Sequence, residues 1–189
     1  MYVGFTQYWD VLMHKQRFIL TGGPATGKTS CVHLLKNNHY AVFQEVARSV
    51  IEESLKRHSD CVPWLNLSLF SNRVFDKQLQ DYYKAIDGLN FYDRSPIDVL
   101  AYMEMGKIKI PLSMIKTCEK LTFEKKVFLF PYWEHLFQND DIRKESEEKA
   151  MEIEYWLKQK YTQFNYTIIQ MPLVSIQDRV NFILQSIAK

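Results

Sequence analysis

The sequence predicts a three-layer α/β domain built on a five-stranded parallel sheet, an expectation that rests on three observations. Five short apolar runs are each followed by a segment of helical periodicity, and strands covered on both faces read as such continuous runs. The first run stops at a glycine-rich turn, Gly22-Gly-Pro-Ala-Thr-Gly27, that opens directly into a helical segment. The length, 189 residues with 47% hydrophobic and 14% aromatic content, suits one well-cored domain rather than two.

Arg17-Phe-Ile-Leu-Thr21 is the first strand, ended by the breakers Gly22-Gly23-Pro24. From Lys28 to Leu35 there is no breaker, and Cys31, Leu34 and Leu35 share one helical face. Ala41-Val-Phe-Gln44 is the second strand, after which Val46, Val50, Ile51 and Leu55 recur at helical spacing up to Ser59-Asp60. Leu67 to Ile86 reads as one long helix with Phe70, Val74, Leu79 and Tyr82 inward, and Asn90-Phe-Tyr-Asp93 as the third strand. Ser95-Pro-Ile-Asp98 starts the next helix, running to about Met105: serine caps, proline tolerates the first helical position, and aspartate favours the positive end. Gly106 to Pro111 is a connection, Leu112 to Leu121 a helix, and Lys126-Val-Phe-Leu-Phe130 the fourth strand. A mixed-charge run from Asp140 to Lys149 leads into a helix with Ala150, Ile153, Leu157 and Tyr161 on one side. Tyr166 to Met171 is the fifth strand, and Ser175-Ile-Gln-Asp178 opens a last helix with Ile176, Val180, Ile183 and Ile187 inward.

With 24 Lys+Arg against 22 Asp+Glu the net charge is +2, too small for a field that gathers nucleic acid or a membrane surface, so neither partner is expected. Cys31, Cys61 and Cys118 are widely spaced and odd in number, fitting neither a disulfide framework nor a paired-thiol metal site; a reducing cytoplasm is the expected compartment. The N-terminus interleaves polar with apolar residues, and no apolar run approaches the roughly 20 residues that span a bilayer.

Gly22-Gly23-Pro24-Ala25-Thr26-Gly27-Lys28-Thr29, followed by Ser30, matches the G-x-x-x-x-G-K-[ST] pattern between a strand and a helix. In that context the loop amides curl around phosphate oxygens and the helix N-terminus adds positive potential. Lys28 then bridges the phosphates, and the Thr29 hydroxyl is a ligand for Mg²⁺. Asp93 ends the third strand, where an open α/β sheet presents its ligand-facing residues; it is a candidate Mg²⁺ carboxylate or, alternatively, a turn former. Its neighbour is Arg94 instead of the second carboxylate that would orient a water for hydrolysis. Arg94 is read either as steering phosphate oxygens or as half of a structural salt bridge. Glu45 closes the second strand on the same edge with Arg48 one turn later; both are acceptor-pocket candidates, Glu45 equally a favourable charge at a helix start. In the segment 139–146 Arg143, and more weakly Lys144, is the candidate for a lid residue that neutralises the transferred phosphoryl group, against the alternative of a solvated helix start. Trp64, Tyr92, Trp133 and His135 receive no role, and the histidines and cysteines show no metal-ligand spacing.

By motif and order the chain resembles the small P-loop ATPase/kinase family that includes the ribosylnicotinamide kinase domain of the bifunctional bacterial NAD regulator. The matching stretches are Gly22–Thr29, Glu45-Val-Ala-Arg48, Tyr92-Asp-Arg-Ser-Pro-Ile-Asp-Val-Leu-Ala-Tyr102 and Asp140-Asp-Ile-Arg143. The resemblance implies a P-loop NTPase sandwich with strand order 2-3-1-4-5 and a lid segment, ATP and Mg²⁺ as cofactors, and a nucleoside-kinase-like activity. That activity moves the γ-phosphoryl of ATP to a hydroxyl of a small nucleoside- or nucleotide-like acceptor, with Lys28, Asp93, Arg94 and Arg143 in catalytic roles. A nucleotide-dependent ATPase or switch acting on a protein partner is the alternative. Residues 1–15 fall outside the pattern and are expected to form an N-terminal extension to a domain spanning 16–189.

Overall fold

The computed structural model describes residues 14–133 and 147–188. Arg143, Lys144, His135 and most of the expected N-terminal extension lie outside the described residues. In chain order the elements are β1 (Lys15–Gly22), α1 (Lys28–Asn37), β2 (Ala41–Phe43), α2 (Val46–Lys56), α3 (Leu67–Tyr83), β3 (Gly88–Asp93), α4 (Pro96–Met105), α5 (Leu112–Lys120), β4 (Lys126–Phe130), α6 (Glu147–Gln163), β5 (Thr167–Gln170) and α7 (Ile176–Ile187). The strands make one sheet, every pairing parallel, in the order β2-β3-β1-β4-β5, as expected.

Period-two alternation along the central strands sorts their side chains into two cores. Ile19, Tyr92 and Val127 face one side, joined by buried residues of α2 to α6. Phe18, Leu20, Phe91, Phe128 and Phe130 face the other, where α1 supplies Cys31, Val32 and Leu35 and α7 supplies Val180 and Ile183. Parallel neighbours need helical crossovers, and here the crossovers divide between the two faces. The chain leaves β1 for β2 and β3 on one side and returns to β4 and β5 on the other, so the order reverses about β1. Such a reversal opens a crevice at the carboxyl ends of the strands.

The helices differ from expectation in three places. Leu55, at the helical spacing of buried Val46, Val50 and Ile51, is itself 51% exposed: the carbonyl of buried Ser54 accepts the N–H of Arg57 (3.2 Å) and of Ser59 (2.9 Å), turning the chain away there. The long helix stops at Tyr83, short of Ile86, because the buried Asn90 side chain ties the Ile86 N–H (2.9 Å) and the carbonyls of Ile86 (2.7 Å) and Gly88 (2.9 Å) into the turn before β3. Ile176 is 44% exposed; as the first residue of α7 its side chain leans toward the helix N-terminus, beyond the neighbouring layer. All three cysteines are buried and unbridged, and burial pushes the thiols of Cys31 and Cys118 up to about 11 and about 12. No helix among the described residues is long and apolar enough to cross a membrane.

Candidate active site

Between β1 and α1 the chain makes a tight loop whose sequence is dictated by its backbone. Gly22 pairs with Phe130 across the sheet at φ +141°, and a Cβ there would run into the Phe130 carbonyl oxygen. Ala25 sits at φ +53° and Gly27, the cap of α1, at φ +81°, in the left-handed region that glycine enters at least cost. No side chain caps α1, which leaves its positive end for a ligand. Thr26 Oγ1 donates to the Gly23 carbonyl (3.0 Å), and Lys28 Nζ folds back to donate to the same oxygen (2.5 Å) and to Thr26 Oγ1 (3.2 Å). Pro24 is buried and Ala25 half-buried, while Thr29 and Ser30 open α1 on its exposed side.

Asp93 ends β3 opposite Leu20 of β1 and is 3% exposed. Its Oδ1 has no hydrogen-bond partner. Burial pushes its carboxyl up to about 6, with Lys28 and Arg94 pulling down and Glu45 and Asp98 pushing up. Arg94 turns at φ +74° and donates its backbone N–H to the Leu20 carbonyl (2.9 Å). Its side chain is buried, with Nε donating to Glu45 Oε1 (3.1 Å), Nη1 3.6 Å from Asp98 Oδ1, and Cζ 5.5 Å from the centre of the Tyr102 ring. Burial works against the charge of this guanidinium, but Tyr102 and then the carboxylates of Glu45, Asp98 and Asp93 hold it firmly charged.

Beneath Arg94 lies a buried network centred on Asp98. Its carboxylate accepts hydrogen bonds from Thr21 Oγ1, Tyr161 Oη and the Ser95 backbone N–H (2.9 Å). Ser95 Oγ accepts the Ile97 N–H (3.2 Å) and lies 2.8 Å from the Tyr161 oxygen, closing a capping box at the start of α4. Beside the cluster a narrow cleft is lined by Phe43, Val46, Gln78, Tyr92, Asp93 and Arg94. Gln78 is buried with its Oε1 unpartnered.

Lys28, Asp93, Arg94 and Glu45 therefore converge on one edge of the sheet. Glu45 occupies the cap position of α2, yet its side chain turns to Arg94 and caps nothing. Arg48 is half exposed and pairs with Glu52 (3.5 Å) on its own helix. Of the aromatics, Tyr92 is core, stacked on Phe43 at 4.5 Å, Trp64 is 57% exposed, and Trp133 lies against Arg179. Sequence reasoning missed Gln78, Thr21, Tyr161, Arg179 and the central place of Asp98. Arg179 did carry a signal: it stands four residues before Ile183, on the buried face of α7.

No curated protein matches the chain at the sequence level. Solved structures do match in fold. Over 92% of this chain and 99% of the other, it superposes on deoxyadenosine kinase from M. mycoides with a TM-score of 0.58 at 12% identity. Thymidylate kinase from Ehrlichia chaffeensis gives 0.61 at 15% identity, covering 91% of this chain and 98% of that one. The NadR protein in complex with NAD and AMP-PNP gives 0.62 at 18% identity over 92% of this chain, but only 48% of its own. The profile of the family described as AAA domain runs from residue 17 to 179, from β1 to the first turn of α7. The chain thus belongs to the AAA domain family and has the fold of the small P-loop kinases.

Proposed function

We propose that this chain is a small-molecule kinase that moves the γ-phosphoryl group of Mg-ATP to a hydroxyl of a nucleoside- or nucleotide-like acceptor. The observation that carries the reading is Asp93: a carboxylate with one unpartnered buried oxygen, electrostatically coupled to Lys28 at the crevice of the sheet and followed by an arginine. A second carboxylate, which would orient a water for hydrolysis, does not follow Asp93 in the sequence. The kinase folds that the chain resembles support the same reading.

The donor set fits magnesium. Asp93 and the exposed Thr29 hydroxyl are hard oxygen ligands, and among the described residues no three His, Cys, Asp or Glu side chains cluster to hold a metal by themselves. That is the pattern of an ion carried largely by water and phosphate oxygens. Bound with ATP, Mg²⁺ neutralises charge on the β- and γ-phosphate oxygens. Residues 22–30, Pro24 apart, hold the phosphates through backbone amides, and Lys28 exchanges the Gly23 carbonyl for phosphate oxygens. Glu45 and Arg94 face the acceptor: the carboxylate accepts its hydroxyl hydrogen bond and the guanidinium fixes the carboxylate. Gln78 lines the narrow cleft beside them with its carbonyl oxygen unpartnered. Arg143 is assigned to closure over the triphosphate, and Arg48 to the rim of the acceptor pocket.

The deciding experiment is ADP release from Mg-ATP, alone and with a panel of nucleosides, nucleoside monophosphates, ribosylnicotinamide and sugars. The expected outcome is strong stimulation by one acceptor, with its phosphorylated product seen by mass spectrometry. Slow release indifferent to every compound would favour the ATPase or switch reading instead.

A further inference from the structure

Arg179 is the largest fully buried side chain among the described residues, 2% exposed, and reaches from α7 to the phosphate loop. Its Nη1 donates to the Thr26 carbonyl oxygen (2.9 Å), bridging residues 153 apart in sequence. Its guanidinium carbon lies 4.7 Å from the centre of the Trp133 ring and 5.9 Å from that of Phe130. Nε and Nη2 have no hydrogen-bond partner. As a stability device this is poor: a buried cation with unsatisfied donors is costly, and an apolar side chain of similar size usually serves the core as well or better.

What the arginine does have is a grip on one peptide unit. The Thr26 carbonyl and the Gly27 N–H belong to the same planar trans peptide and point in opposite directions. Gly27, at φ +81°, is a residue that tolerates either orientation of the preceding peptide, because glycine has no Cβ to forbid the flip. Holding the carbonyl toward α7 therefore turns the Gly27 N–H away from α7, into the loop. The stack on Trp133 fixes the plane of the guanidinium and so the direction of its N–H donors.

We infer that Arg179 is a positioning residue for nucleotide binding: by holding the Thr26 carbonyl it locks the Thr26–Gly27 peptide in the orientation that presents the Gly27 N–H to the phosphates of ATP. This rests on the reading that residues 22–30 bind ATP, and the test separates the two. ATP affinity is measured by calorimetry, beside thermal melting, for the unaltered chain and for Arg179→Gln, Arg179→Lys and Arg179→Met. The Lys side chain keeps a donor within reach of the Thr26 carbonyl; Gln carries a donor but ends two bonds short of the Arg179 Nη1 that makes the bond, and Met keeps apolar bulk but offers none.

The expected result is about tenfold or greater loss of ATP affinity in Arg179→Met and Arg179→Gln with little change in melting temperature, and a Lys variant within about threefold of the unaltered chain. A Met variant that melts lower but binds ATP as tightly as before overturns the inference, since the arginine would then only support the fold. Equal loss in the Met and Lys variants overturns it too. Should the Met variant not fold, the other two decide: a Gln variant that binds ATP as tightly as the unaltered chain, or a Lys variant with about a tenfold loss, is equally fatal. If the unaltered chain binds no ATP, the functional reading itself has failed; if it binds and the Met variant matches it, only the role of Arg179 has.

Discussion

Asp93 shows most plainly what the site costs the fold. An aspartate that would release its proton near 3.8 keeps it up to about 6 here, because burial penalises the charge more than Lys28 and Arg94 relieve it. Between those values the folded chain binds more protons than the unfolded one, so this group lowers stability as pH rises, and the full cost stands above about pH 6. Asp93→Asn has no charge to bury. The nucleotide-free variant should melt higher than the original at about pH 8, by the equivalent of roughly 3 kcal/mol, and the advantage should vanish below about pH 4. Acceptor-stimulated ADP release should be lost at every pH. A variant that melted lower at high pH would mean that the carboxylate supports the fold instead of being held against it. Glu45 makes a companion case. Glu45→Gln still offers an oxygen to Arg94 Nε (now 3.1 Å from Glu45 Oε1) but no charge to an acceptor hydroxyl. Steady-state kinetics should show kcat for the acceptor reduced at least about tenfold with the KM for ATP unchanged. Equal loss in both parameters would move Glu45 out of the acceptor pocket.

At the scale of elements, the start of α4 joins local and long-range structure. The capping box of Ser95 and Asp98 is legible in sequence because it is local: serine, proline and aspartate at fixed spacing satisfy the first amides of a helix. The same Asp98 also accepts from Thr21, 77 residues earlier, and from Tyr161, 63 residues later, and nothing in local spacing announces those partners. The phosphate loop was readable for the same reason as the capping box, since strand, glycines, lysine and helix are contiguous. Gln78 and Arg179 were not, because their roles depend on which helix packs over which strand end. Leu55 and Ile176 mark the limit of periodicity: spacing gives the face of a helix, while the end of the neighbouring layer decides how far along it burial extends. A measurable consequence sits at Tyr161, whose hydroxyl is fully enclosed and held protonated well above its ordinary range, burial first and the Asp98 charge second. Tyr161→Phe removes one donor from a buried carboxylate and should lower stability by about 1–3 kcal/mol in denaturant titrations. The KM for ATP should not move, since the network supports Arg94 rather than the loop. An altered ATP dependence with unchanged stability would show that Tyr161 reaches the nucleotide.

For the whole molecule, the sheet acts as a partition whose carboxyl edge gathers groups from both layers. From one face come Glu45 at the start of α2 and the Asp98 network; from the other come α1 with its phosphate loop and α7 with Arg179. Each layer has its own core, but the loop at the first switch of direction meets both: Gly23 lies beside the Ala150 carbonyl of α6, where a Cβ would come within 3.6 Å of that oxygen, and Thr26 is tied to α7. A ligand seated there would couple to the stability of the entire sandwich, because it binds only where both layers are in place. Mg-ATP at about a hundred times its dissociation constant should stabilise the fold by about 2.7 kcal/mol, which for a chain of this length raises the melting temperature by roughly 5–10 °C. Lys28→Ala removes the cation that meets the phosphates and should abolish the rise. The nucleotide-free protein should melt only modestly lower: the Gly23 carbonyl and the Thr26 hydroxyl that the ammonium meets already bond to each other, while Asp93 loses a relieving positive charge. Differential scanning calorimetry of the two chains with and without Mg-ATP gives all four melting points. If Lys28→Ala keeps the full ligand-induced rise, the phosphates are held somewhere other than this loop. If it melts far below the original without nucleotide, the lysine is chiefly a structural tie.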